Sequence, residues 1–351
     1  MMKVTWRFTR VLVALMVLGL IAAACGGDDS GGNAQAAGNG NVTGEITISG
    51  SSTVEPISAA NGEKFASLNP DVAISVEGPG TGDGFELFCS GETDISNASR
   101  PIDPAEEAPL CKENGIEYIE LKVGIDGIAV LTSPENTAVE CLNFNDLYAL
   151  LGPESEGFEQ WSDADQLAQD LGDTHAPYPD AELAIVGPGE ESGTYDSFGE
   201  LALEDIAYEE RGIKDDAPVI RPDYQASPND NVIIEGISGN PTSLGWVGYA
   251  FYVQNESAVR AIPIAESGDE CIEPTEETIS SNEYPISRFL YIYVNSAKLE
   301  ENPALEPFVD FYLSDEGLAS VGEVGYVDLA EEDLQATLDV WRSKKTGTKQ
   351  G

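Results

Sequence analysis

The first clearly periodic stretch is EITIS at residues 45–49, where apolar and polar positions alternate as they do along a half-buried strand. TVEPISAANGEKFASL (53–68) then places apolar residues at helix-like intervals, and VAISVEG (72–78) returns to strand character. The order strand, Ser-rich turn, helix, strand, Gly-rich turn, helix predicts an α/β unit around a largely parallel sheet. Both turns, SGSSTV and GPGTGDG, fall at the carboxyl ends of strands, where such sheets bind ligands. After DISNASRPI, the run GIEYIELKVGIDGIAVLTSPEN is long and β-rich enough to cross from one lobe into another. A second α/β block holds ELAIVGPGEESGTYDSFGELAL, followed by the aromatic-rich helix or strand group NPTSLGWVGYAFYVQN. YPISRFLYIYVNSAKL reads as a second crossing, and PALEPFVDFYLSDEGLASVGEVGYVDL as closing helices. Two crossings imply a discontinuous first lobe, residues 44–128 plus 286–345, around an inserted second lobe, 129–285.

The N-terminus has a different pattern. Lys3, Arg7 and Arg10 precede the apolar run Val11 to Ala24, which stops at Cys25 and turns polar. That is the order of a secretory signal, and the run is shorter than the ~20 residues of a spanning helix. AAAC before GGDD resembles a bacterial lipoprotein cleavage box, with residues 1–25 as the signal and Cys25 as the lipidated residue. Ala22 stands where Leu is commonest, and a plain secretory signal or an uncleaved anchor is the alternative. Residues 26–43, rich in Gly, Asn, Ala and Ser, read as a flexible tether.

Four further cysteines, Cys89, Cys111, Cys141 and Cys271, suggest two disulfides in an exported domain, with three pairings open and free buried thiols as the alternative. No CxxC spacing points to a metal, and none is expected.

Charge narrows the partners. With 63 Asp+Glu against 17 Lys+Arg, a formal net charge of -46, the chain lacks the clustered cations that hold a phosphate backbone, so nucleic acid is excluded. The acidity fits a solubilising surface whose self-repulsion salt screens. Catalysis finds little support. The single histidine, His175, reads as a surface residue in GDTHAPYPD; no GxSxG elbow or HExxH is present, and no cofactor is implied. Trp161 and Trp246 read as packing residues.

GPGEESGTYDSF (187–198) bunches backbone N–H groups and small hydroxyls ahead of a helix, which suits an anion. Taken with SGSSTVEPI (49–57), GPGTGDGFELFCSGETDISNASRPI (78–102), ASPNDNVIIEGI (226–237) and LGWVGYAFY (244–252), it resembles the phosphate-binding proteins of bacterial ABC transporters. The resemblance runs from about 45 to 340 and keeps the family's order. It implies a two-lobed, type II periplasmic-binding-protein-like fold with two β crossovers and one dehydrated phosphate in a cleft that closes on it. By motif, the first lobe would offer Ser52, Thr53 and the Val54 N–H, then Thr81 and Gly82, then Ser99 and Arg100; the opposing lobe would offer Ser192, Gly193 and Thr194. Arg100 would be the single cation, since its planar fork suits a tetrahedral oxyanion; a surface ion pair is the alternative. The same architecture implies the pairs Cys89–Cys111 and Cys141–Cys271. It further implies a monomer, lipid-anchored at the outer face of the cytoplasmic membrane, delivering phosphate to a permease.

Two departures stand out. Ser99 occupies the position where some members carry an Asp that accepts the proton of hydrogen phosphate, and Pro188 stands where those members carry an Arg. The acceptor is therefore open among Asp83, Glu86, Glu190 and Glu191. Binding of sulfate or molybdate on the same fold, or an exported adhesion or sensing role, are the competing functions.

Overall fold

The computed structural model describes residues 42–190, 192–214 and 217–348; Cys25, the apolar run before it and Glu191 lie outside them. Among the described residues, β1 (Gly44–Gly50), β2 (Val72–Glu77), β3 (Ile95–Ala98), β4 (Tyr118–Thr132), β5 (Leu142–Asn143) and β6 (Ala184–Gly187) are followed by β7 (Gln225–Ala226), β8 (Ser243–Gly248), β9 (Arg260–Ala261), β10 (Ile264–Ala265) and β11 (Ser287–Asn295). One mixed sheet runs β2-β1-β3-β11-β4-β8-β6-β7, with β9 also on β4, while β5 and β10 form a separate pair. The β2-β1-β3 and β8-β6-β7 ends are parallel, and β11 and β4 join them through antiparallel pairings.

Strand β4 carries the architecture. It pairs with β11 as far as Gly127 and with β8 from Ile128 onward. Almost every residue from Val123 to Thr132 is buried, which explains why its sequence reads as a continuous apolar run without alternation. A large core cluster sits on either side of this crossing. One gathers Ile46, Ile57, Phe65, Leu121, Ile292 and Phe308; the other gathers Leu147, Trp161, Phe198, Trp246 and Ile264. Trp161 and Trp246 are fully buried, and Phe198 stacks on Trp246 at 4.7 Å between centroids, so both tryptophans are packing residues.

Helices fill the connections: α1 (Glu55–Leu68), α2 (Thr81–Cys89), α3 (Glu107–Glu113), α4 (Phe144–Leu151), α5 (Asp165–Leu171) and α6 (Gly193–Ala202). Pro56 lies in the first turn of α1, where its missing N–H costs no intrahelical bond. The ambiguous aromatic group resolves into both of its readings, strand β8 and then the helix Tyr249–Val253. The closing helices are Leu305–Tyr312, Asp315–Glu323 and Glu331–Ser343. None of the described helices is long and apolar enough to cross a membrane.

Two disulfides form, Cys89–Cys111 and Cys141–Cys271, the pairs implied by the resemblance. Cys89 ends α2 and Cys111 lies within α3, so the first bridge staples two short helices against β3 and β11 around Phe85, Phe88 and Tyr293. Its cysteines are 22 residues apart, and closing a loop of that size in the unfolded chain is worth about 3 kcal/mol. Replacing both cysteines by serine should lower the unfolding free energy by roughly that amount, read as a lower midpoint in urea at unchanged slope.

Candidate functional site

Three turns meet at the carboxyl ends of β1, β2 and β3. The turn after β1 is closed by Val54 N and Glu55 N donating to Ser51 O at 3.2 and 3.0 Å. It can lie against β3 because residue 50 is glycine: a Cβ there would stand 2.1 Å from Asn97 O. The α2 turn presses equally close, since a Cβ on Gly84 would fall 2.3 Å from Gly50 Cα. This contact holds the start of α2 beside the β1 turn and lets Thr81 Oγ1 reach Ser99 Oγ at 3.0 Å and accept from Ser99 N at 3.3 Å.

The second half of the chain brings α6 to the same place. Ser192 caps this helix, accepting from Thr194 N at 3.2 Å. A Cβ on Gly193 would lie 3.8 Å from Thr53 Cα and 3.6 Å from the Tyr326 hydroxyl, so the first turns of α1 and α6 face each other closely. Thr53 Oγ1 and Ser197 Oγ are 3.2 Å apart.

A charged pair that the sequence reading did not single out lies beneath these hydroxyls. Arg288 on β11 stands directly opposite Asp126 on β4 in the strand register. Arg288 Nη2 donates to Ser197 Oγ at 2.8 Å and to Thr53 Oγ1 at 3.3 Å, while Nη1 meets Glu200 Oε2 at 2.5 Å. Its Nε lies 3.7 Å from Asp126 Oδ2, and neither of those two buried atoms makes a hydrogen bond. Burial pushes the Asp126 carboxyl up from its ordinary range, opposed by Arg288 and by a hydrogen bond from Ser197. The result is a basic, buried carboxylate and a part-buried guanidinium with two hydroxyls on it.

Arg100 is placed differently from the expectation. Its guanidinium grips Glu107 at 2.8 and 2.9 Å, nearly half exposed, and that pairing holds its pKa up. It nevertheless lines, with Thr81, Ser99, Glu200, Glu204 and Arg288, one cavity of about 450 Å³. Gly82 sits at its edge, 4.0 Å from Arg100 Nη2 to a built Cβ. The Val54 N–H is engaged within its own turn. Of the open acceptor positions, Asp83, Glu86 and Glu190 do not appear among the partners of Arg288 or of the two hydroxyls beside it.

A family model for the PBP superfamily domain matches residues 35–316. The chain belongs to the PBP superfamily. Protein SphX of Synechocystis sp. is 37% identical over 289 residues, 82% of this chain and 79% of that one. The phosphate-binding protein PstS of Staphylococcus aureus is 33% identical over 338 residues, 95% of this chain and 91% of its own. Among solved structures, that of a possible phosphate binding protein from Planctomyces limnophilus matches with a TM-score of 0.76 at 35% identity, covering 86% of this chain and 99% of that one. The two-lobed α/β fold expected from the turns and crossings is the fold of this PBP chain.

The signal that could have exposed Asp126 and Arg288 is a single charge inside each otherwise apolar crossing run, VGIDGIAVL and PISRFLYIYV. Buried charges are costly unless paired, so each called for a partner of opposite sign.

The cavity wall formed by the end of α6 and the residues just beyond it is acidic, with Glu200 and Glu204. Burial and the neighbouring Glu200 raise Glu204 from 4.5 to about 7. Because the folded state holds this proton more tightly than the unfolded chain, stability conferred below about pH 4.5 is lost as pH rises through 7. The Glu204→Gln variant, neutral throughout, should therefore gain on the parent between pH 5 and 8, by about 1 kcal/mol once solvent screening is allowed for. Paired thermal melts across that range check the sign.

Proposed function

We propose that this PBP-superfamily protein binds inorganic phosphate outside the cytoplasm and delivers it to the permease of an ABC importer, without catalysing a reaction. One observation carries the reading: a part-buried guanidinium with serine and threonine hydroxyls on one side and a basic carboxylate on the other, set where two helix N-termini converge. A tetrahedral oxyanion takes charge-assisted bonds from Arg288 and neutral donors from Ser52, Thr53, Ser192, Gly193 and Thr194. Thr81, Gly82, Ser99 and Arg100 form the outer rim. Asp126 is the proton acceptor: a carboxylate of raised basicity accepts well from the P–OH of hydrogen phosphate and repels sulfate, which has no proton to give. That chemistry favours phosphate over sulfate or molybdate, and the named relatives of phosphate-binding type support the same choice.

Residues 44–128 plus 286–345 and residues 129–285 are the two lobes in this reading, closing about the crossing strands. The change of partner along β4 between Gly127 and Ile128 supports a hinge there. The protein works as a monomer held by lipid on Cys25 at the outer face of the cytoplasmic membrane.

Calorimetric titration of a ligand-stripped, refolded chain tests the assignment. Phosphate should bind and sulfate should not compete. Arg288→Ala should weaken phosphate binding by roughly 100-fold, the cost of losing a charge-assisted donor inside a dry site. Asp126→Asn should lower the preference for phosphate over sulfate by about tenfold or more. Absence of phosphate heat, or equal binding of both anions by the parent protein, would sink the reading.

A further inference from the structure

His175 is no ordinary surface histidine. Its ring is three-quarters buried, and Nδ1 lies 2.5 Å from Oδ2 of the fully buried Asp146. Asp146 also accepts from His175 N at 2.8 Å, Tyr178 Oη at 2.6 Å and Asn143 N at 2.8 Å. In the tautomer whose Nδ1 donates to this carboxylate, Nε2 is the acceptor nitrogen. Nε2 is buried and makes no hydrogen bond, with Asp269 Oδ1 3.4 Å away as its nearest charged neighbour. One imidazole nitrogen of His175 and the sulfurs of Cys141 and Cys271 all lie within 4.8 Å of one another. This group borders a cavity of about 400 Å³.

A carboxylate that fixes one imidazole nitrogen and leaves the other bare is the arrangement that orients a histidine toward a metal. Two sulfurs and one imidazole suit zinc, whose bonds to sulfur and nitrogen of about 2.3 and 2.0 Å require the two sulfurs to move apart once the bond between them is broken. In the oxidised chain the sulfurs are bonded to each other and offer no thiolate. We propose that Cys141, Cys271 and His175 form a thiol-gated site for a thiophilic divalent cation such as zinc, closed by the disulfide and opened by reduction. The reductant is a dithiol. One of its thiolates attacks a bridge sulfur and breaks the Sγ–Sγ bond; its second thiolate resolves the mixed disulfide, leaving two protein thiols and one cyclic disulfide, a two-electron transfer. Metal binding then releases the two thiol protons, His175 Nε2 donates its lone pair, and Asp269 or water completes a tetrahedron. Local spacing could not show this site, because its sulfurs come from positions 130 residues apart.

Cobalt(II) reports the site directly. The full chain is reduced with a dithiol, desalted without oxygen and titrated, in a Cys89→Ser/Cys111→Ser background and in the parent in parallel, so that a poorly folding background cannot mask the result. One equivalent should give a thiolate-to-cobalt charge-transfer band and tetrahedral d–d absorption, absent from the oxidised chain. Cys141→Ser should abolish the band, and His175→Ala should weaken cobalt binding at least tenfold. The proposal is overturned if the reduced chain shows no such band, if the band survives Cys141→Ser, or if near-ultraviolet dichroism shows that reduction unfolds the protein.

Discussion

Asp126 and Arg288 face each other across neighbouring strands, the carboxylate fully buried and the guanidinium largely so at the floor of a cavity, and the rest of the site follows from holding that pair. Removing two charges from solvent is expensive, and their mutual attraction repays it only when further hydrogen bonds engage the remaining protons. Thr53, Ser197 and Glu200 supply those bonds to Arg288, which fixes where the first turns of α1 and α6 must lie. The pair also sits where β4 exchanges one partner strand for another. Its position on strands, with loops contributing only the upper donors, gives the site a rigid floor.

Much of the fold was legible because it is written in local periodicity and turn chemistry. The alternation of EITIS, the helical spacing after Pro56 and the glycine turns at 78–84 and 187–193 each specify their element within a dozen residues. The charged floor was not legible in the same way. Asp126 and Arg288 are 162 residues apart, and only the antiparallel register of β4 with β11 brings them opposite each other. Arg100 shows the converse: its partner Glu107 lies within the next two turns of chain, so the competing reading as an ion pair was available from local sequence. His175 was misjudged because its character comes from Asp146, which approaches from the start of α4.

A net charge of -46 and an anion cleft are compatible because the two act over different distances. Surface carboxylates create a field that salt screens within roughly 10 Å. Within the cleft, helix termini, hydroxyls and one guanidinium act at contact distance, where screening has no room to operate. Global charge thus governs solubility and approach, while local dipoles govern what stays.

The Glu200 carboxylate on Arg288 gives the cleft a resident counterion. In the proposed site, occupation is then a ligand exchange: an incoming oxyanion displaces an internal anion and does not fill a bare positive hole. Affinity becomes a difference between two anions for one guanidinium, and chloride in a saline medium meets an arginine that is already neutralised. Selectivity against abundant weak anions therefore comes built into the polypeptide before any ligand arrives.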